Sequence, residues 1–189
     1  MKKLILAFLK LTFVFTPLFA GSHSGKITIS STCTAKHFQV RLMKMGEGQM
    51  PLQAVGEQNC FEYVVMADKG MDMNSSCTYS ALIAPGETPM NNFTNSCHAF
   101  DADGDAMYWR YSGTDEFGKR SGSGQVTIFG GTGKFQGISG KLNSNWQQAV
   151  QNAADPTRWG ATAQAIGNFK KQILRTPLRG VTKFCNPQQ

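Results

Sequence analysis

The run from Gly124 to Gly140, GQVTIFGGTGKFQGISG, decides how this chain is read. Gln125 to Phe129 is a β-prone run and predicts a strand. Gly130, Gly131, Thr132 and Gly133 predict a tight turn, because glycine accepts positive φ and close backbone approach at little steric cost. Lys134, Phe135 and Gln136 then lead to a second Gly-flanked turn, Gly137-Ile138-Ser139-Gly140. Ile128, Phe129, Phe135 and Ile138 supply apolar anchors around the glycines. The stretch therefore speaks of how two strands join. It does not suit a phosphate cradle, since GGTGKF lacks the spacing and the Lys-Ser/Thr ending of a P-loop, and no long helix is predicted after it.

Upstream, Cys97 to Phe100 leads into Asp101-Ala102-Asp103-Gly104-Asp105, and Ala106 to Tyr111 (AMYWRY) leads away. Asp103-Gly104 between two β-prone runs predicts a type I′ hairpin turn. Three alternating Asp also raise calcium. An EF-hand loop from Asp101 would need Gly at its sixth position and Glu at its twelfth, where Ala106 and Ser112 stand, so the turn is preferred and no metal site is expected. Asp115 to Ser123 reads as a polar loop. Downstream, Lys141 to Gln147 alternates as a strand, with Leu142, Ser144 and Trp146 on one face. Ala149 to Pro156 reads as a loop or a helical turn. Trp159, Ala161, Ala163, Ala165, Gly167 and Phe169 share one parity, which suits a crowded barrel interior or a face pressed by a neighbour. On propensity alone, Ala161 to Ile166 also fits a helix.

The first half of the chain is read more coarsely. Lys26 to Ser30 predicts a strand, and His37 to Met45 a second β-like run that would also fit a short helix. Gly46 to Gly56 reads as a loop around Pro51. Cys60 to Met66 predicts a strand with Phe61, Tyr63 and Val65 on one face and Glu62, Val64 and Met66 on the other. Asp68 to Asn74 reads as a turn, and Ser76 to Ala84 as a strand broken by Pro85-Gly86 before a loop through Asn91-Asn92. About eight short strands, Gly-rich turns and little helix predict an all-β chain, a single antiparallel β-barrel over residues 21–169. Dense glycines favour a barrel over a sandwich, because strands must bend to close and closure removes edges.

The first twenty residues have the form of a cleaved signal peptide: Met1-Lys2-Lys3, an apolar run from Leu4 to Phe15, and Leu18-Phe19-Ala20 before the cut. Lys10 interrupts the run, which argues against a spanning anchor. Export to the periplasm or medium of a bacterium is expected. Setting aside Lys2, Lys3 and Lys10 leaves 16 basic residues against 12 acidic ones, a net of +4 in place of +7. That excess, without a basic run interleaved with aromatics, gives no ground for nucleic-acid binding. Residues 170–189 form a basic tail holding Lys170, Lys171, Arg175, Arg179 and Lys183 and no acid, read as a solvated segment. Cys33, Cys60, Cys77, Cys97 and Cys185 predict one or two disulfides with a thiol left over, the pairing open. Their spacing contains no CxxC and so offers no zinc or thioredoxin-like centre, and nothing points to a cofactor.

Gly130-Gly131-Thr132-Gly133-Lys134-Phe135 followed by Gly137-Ile138-Ser139-Gly140 resembles the GGTG-x-F-x-G turn of the allene oxide cyclase and dirigent barrel superfamily. The DADGD segment, the aromatic strand after it and the run from Gly160 to Gly167 resemble exported bacterial proteins sharing that barrel, most of unassigned function. The likeness is strongest over Gly124 to Gly140, extends from Cys97 to Phe169, and is faint before Cys77. It implies an eight-stranded antiparallel barrel with an apolar cavity and frequent homo-oligomerisation. It transfers no catalytic side chain, since the matching residues are turn residues.

Three functions compete. A binding module would hold a small apolar or amphipathic ligand in the barrel mouth, with Tyr63, Tyr79, Trp109 and Tyr111 as candidate contacts; Phe61 and Met107 lie on the same β-like runs, and all could instead be core. An enzyme of the cyclase, isomerase or hydrolase type would need a perturbed acid in a dry cavity, for which Glu62 is the candidate, with a solvent-facing Glu62 as the blander alternative. A structural or interaction protein of the envelope would use the basic tail and spare thiol.

Overall fold

In the computed structural model, which describes residues 22–45 and 48–173, eight antiparallel strands form a closed barrel in which each strand pairs with its sequence neighbours and the last pairs with the first. The strands are β1 (Ser22–Met45), β2 (Gly48–Met66), β3 (Lys69–Ala84), β4 (Met90–Asp101), β5 (Ala106–Glu116), β6 (Ser121–Gly131), β7 (Ile138–Gln151) and β8 (Arg158–Gln172). A single 3₁₀ turn, Gly133–Phe135, is the helical element among the described residues. This is the all-β, eight-stranded barrel expected, and it is the architecture that the allene oxide cyclase and dirigent resemblance implies. The segment expected to be a leader, Cys185 and all but the first residues of the basic tail lie outside the described residues.

Period-two alternation builds the barrel. On β3, Met73, Ser75, Cys77, Tyr79, Ala81 and Ile83 are buried while Asn74, Thr78 and Leu82 face out. The same rule turns Glu62 and Val64 inward on β2 and leaves Phe61 and Tyr63 half-exposed outside. Closure runs from Ser22↔Gln172 to Lys36↔Arg158. Cys33 pairs with Cys60 across β1 and β2, and Cys77 with Cys97 across β3 and β4. Each bridge joins directly opposed residues of one hairpin, so it constrains a pairing the ladder already makes.

Strand boundaries differ from expectation wherever ladder pairing overrides local turn chemistry. Gly48 to Gly56 is strand, with Pro51 opposite Leu42 beside a register shift, where a missing N–H is tolerated. His37 to Met45 is strand and continues β1; the helical alternative fails because the ladder to β2 captures it. The turn at Asp68 to Asn74 shrinks to Ala67-Asp68, both at positive φ (49° and 64°), between the paired Met66 and Lys69. The two-residue hairpin with two positive φ values is therefore here. At Asp103-Gly104 only Gly104 has positive φ (82°), and the Gly104 N–H donates to the Asp101 carbonyl in a type I turn. Strand resumes at Met90, taking in Asn91-Asn92; β5 runs to Glu116 and β6 starts at Ser121, which shortens the polar loop to Phe117–Arg120. β7 extends to Gln151 and begins at Ile138, so the second glycine turn is only Gln136-Gly137. Residues Trp159 to Phe169 are strand, not helix.

The two Gly- and Asp-rich turns meet at one end and seal it. Thr132 exchanges hydrogen bonds with Ala106: its N–H donates to the Ala106 carbonyl (2.7 Å) and its Oγ1 accepts from the Ala106 N–H (2.9 Å). Asp105 accepts from the Lys134 N–H (3.0 Å), and the Lys134 Nζ lies 2.6 Å from Asp101 and 2.7 Å from Asp103. Burial raises the Asp101 pKa, but hydrogen bonds from Lys134 and from the Asp105 and Asp103 N–H groups outweigh it and hold the carboxyl below its ordinary range. The alternating aspartates thus serve as turn acceptors around a lysine. Gly133 sits at φ 50°, where a Cβ would fall 1.7 Å from an Asp105 oxygen. Phe135 drops into the barrel and packs with Ile27, Met107, Ile128 and Phe169, all of them at most 1% exposed.

Candidate functional site

The other end of the barrel is open. A cavity of about 640 Å³ enters it between the Phe117–Arg120 loop and the segment Gln151–Thr157 and descends to Ile29, Ser31 and Val126. One wall is β8, whose Ala161, Ala163 and Ala165 line it. The row of small residues therefore makes room instead of filling a crowded interior. The Cys33–Cys60 bridge lies in the wall nearby.

Aromatic side chains converge at the mouth from five strands. Phe93 stacks on Tyr79 (centroids 5.3 Å apart) and meets Tyr111 (6.1 Å) and Trp159 (6.5 Å) edge-on. Trp109 and Trp146 line the same space. Glycines in the wall make this possible. A Cβ at Gly124 would lie 2.7 Å from the Tyr111 hydroxyl, and one at Gly122 would lie 2.7 Å from the Trp146 indole nitrogen and 2.9 Å from the Asp115 Cβ. Glycine here is a matter of space for neighbouring rings.

A hydrogen-bonded chain runs along the rim. The Trp159 indole N–H donates to the Tyr79 hydroxyl (3.4 Å), which is in turn hydrogen-bonded to His37 Nδ1. Burial lowers the His37 pKa, so the ring is neutral at pH 7 and can accept from Tyr79. Burial pushes the Tyr79 phenol up to about 12. Below, Asn95 donates to Gln58 (2.8 Å). Asp115 is 8% exposed and receives Asn91 Nδ2 on one oxygen at 3.4 Å. Burial raises its pKa against that hydrogen bond, and burial followed by the Asp115 charge pushes Tyr111 up to about 12 against a hydrogen bond from the Trp146 indole N–H.

The cavity gathers unpartnered polar atoms. Among the described residues, buried side-chain N and O atoms without a hydrogen-bond partner collect in its wall: Asn91 Oδ1, Asn95 Oδ1, Trp109 Nε1 and Asp115 Oδ1, while the Trp146 indole N–H is turned toward the Tyr111 hydroxyl. A buried polar group left unpaired costs about 1–3 kcal/mol, so these atoms are free to pair with a group placed in the cavity.

Glu62 lies beneath the floor with no exposure at all. Its Oε1 accepts from Ser75 Oγ (2.9 Å) and from Ser31 Oγ (3.4 Å), and Ser31 lines the cavity; its Oε2 has no partner. Burial raises its pKa to about 7, against the two serine hydrogen bonds. The solvent-facing alternative fails because the ladder points positions 58, 60, 62 and 64 inward.

Of the four aromatic candidates, Trp109 and Tyr111 line the cavity and Tyr79 packs behind Phe93 at its rim. Tyr63 stands outside the barrel over Gly70, remote from the others by the alternation that turns Glu62 inward. Asp115, Phe93, Asn95 and His37 are cavity residues that sequence reasoning passed over. The signal for Asp115 was available: the parity of Trp109 and Tyr111 continues through Gly113 to Asp115.

No protein-family model matches the chain, and no curated protein matches it. Solved structures similar to it include a pterocarpan synthase dirigent protein, at 12% identity and a TM-score of 0.37, covering 83% of this chain and 91% of that one. They also include a pyocyanin demethylase, at 14% identity and a TM-score of 0.31, covering 72% of this chain and 98% of that one.

Proposed function

We propose that this barrel binds a small molecule with a largely apolar body and a polar edge, held in the open-ended cavity. The observation that carries the reading is the set of unpartnered buried polar atoms, Asn91 Oδ1, Asn95 Oδ1, Trp109 Nε1 and Asp115 Oδ1, set among tryptophans, alanines and Phe93. A volume of about 640 Å³ lies within the roughly 300–1,000 Å³ of small-molecule sites. Apolar walls supply affinity, and the orphaned donors and acceptors discriminate, because a ligand lacking their complements leaves them buried and unpaired. Export belongs to the same proposal: two disulfides suit an oxidising compartment, and a leader cut after Ala20 would deliver the chain there. Native mass spectrometry of protein purified from its own envelope, followed by thermal shift across lipid and terpenoid panels, tests it. A retained mass or a rise in Tm supports the reading; bare protein and an unmoved Tm across both panels reject it.

A second reading makes the cavity catalytic, with Glu62 as acid or base. Its dry site, a pKa near 7 and a serine hydroxyl between it and the floor favour this. Once any turnover is found, Glu62→Gln with an unchanged rate removes Glu62 from that role.

A further inference from the structure

We infer that the ligand of this cavity is a small organic cation, an ammonium carried on an aromatic body, with Asp115 as its counter-ion. This rests on the binding reading above and names the ligand's chemistry. The interior holds acids and no base although the chain is basic: Glu62 and Asp115 are the carboxyl groups among the buried described residues, and no lysine or arginine accompanies them. Asp115 Oδ1 is buried with neither a hydrogen-bond donor nor a basic group on it, and Asn91 Oδ1, directly across the β4–β5 ladder, is also without a donor. Two acceptors side by side, one of them a carboxylate, call for a group with several N–H donors and positive charge. Lys119 and Arg120 border the mouth, but both are exposed and Lys119 is paired with Glu116 at 2.6 Å, so the buried carboxylate has no basic group on it.

The surroundings complete the recognition. Trp146 and Asp115 both overlie Gly122, which puts an indole beside the carboxylate. Phe93, Tyr111 and Trp159 present aromatic rings to the same space, and ring faces attract cations most strongly where water is excluded. An anion would meet the Asp115 charge with no lysine or arginine in the interior to offset it. A neutral ligand would leave the carboxylate without a counter-charge.

Three probes of one size separate the cases at pH 7: benzylammonium, benzyl alcohol and benzoate, titrated against the intrinsic fluorescence of the cavity tryptophans and by calorimetry. Benzylammonium is expected to bind at least about tenfold tighter than the alcohol, the worth of one charge-assisted contact, with benzoate weakest. Asp115→Asn should erase the preference for the cation, and Asp115→Glu, which keeps the charge, should restore most of it; melting curves of both variants report that the barrel is intact. If the alcohol binds as tightly as the ammonium, or Asp115→Asn keeps the preference, the cation inference falls while the binding reading stands. If none of the three binds and the lipid and terpenoid panels are also silent, both fall.

Discussion

The two ends of this barrel are made from the same strands under opposite rules. At the sealed end, Phe135, Phe169, Ile27 and Met107 fill the interior, and the polar groups of both turns find partners in one another. At the mouth, strands of equal regularity leave about 640 Å³ between them, and several polar atoms of the lining, Asp115 Oδ1 and Asn91 Oδ1 among them, are unpartnered. Stability is thus concentrated where the turns interlock. On the proposed reading, recognition belongs to the end that gave some of it up.

Four experiments would break or sharpen that contrast. The largest effect is expected from Phe135→Ala, which removes a fully buried ring and should cost about 3–5 kcal/mol in chemical denaturation, whereas Phe93→Ala at the half-buried mouth should cost distinctly less. Equal losses would erase the distinction between the ends.

Next comes the floor between them. Glu62 has a folded pKa of about 7 against an ordinary 4.5, so the native state binds the extra proton between those values. Stability present below pH 4.5 is therefore lost as pH rises to about 7, by roughly 3 kcal/mol, and stays lost above it. Glu62→Gln should flatten that slope in denaturation curves taken from pH 5 to 8; a slope that persists assigns the titration elsewhere.

Gly133→Ala should cost about 1–3 kcal/mol, because it adds a left-handed alanine and forces Asp105 off the Lys134 N–H. The loss should appear as a lower Tm with ligand binding at the mouth unaltered. The smallest effect runs the other way. Ala67 holds φ 49° in a two-residue hairpin without glycine, and Ala67→Asn should stabilise by up to about 1 kcal/mol in the same assay.

The sealed end was legible in the sequence and the mouth was not, for a physical reason. Turn chemistry is local: GGTGKF and DADGD announce themselves within a few residues, and their meeting needs only the β5–β6 hairpin. Even so, the dipeptide rule misplaced the hairpin with two positive φ values, because Asp101 captures the Asp103 and Asp105 N–H groups while Ala67-Asp68 is compelled by the Met66↔Lys69 pairing. The mouth is assembled over long separations, as in the Trp159–Tyr79 hydrogen bond spanning 80 residues. Parity could say that Glu62 and Phe61 face opposite ways. Only ladder registers say which way is in on β2, and so that Tyr63 stands outside.

The pairing of Ser22 with Gln172 has a consequence for how this molecule can be handled and presented. Both ends of the described chain leave the barrel at the sealed pole, diametrically away from the entrance. A tether, a reporter domain or a solid support joined directly to Ser22 or to Gln172 would hold the barrel with its opening toward the medium. A short linker joining Gln172 to Ser22, with new ends cut at the exposed Pro85–Thr88 segment, would give a circular permutant whose reporter sits at the entrance instead.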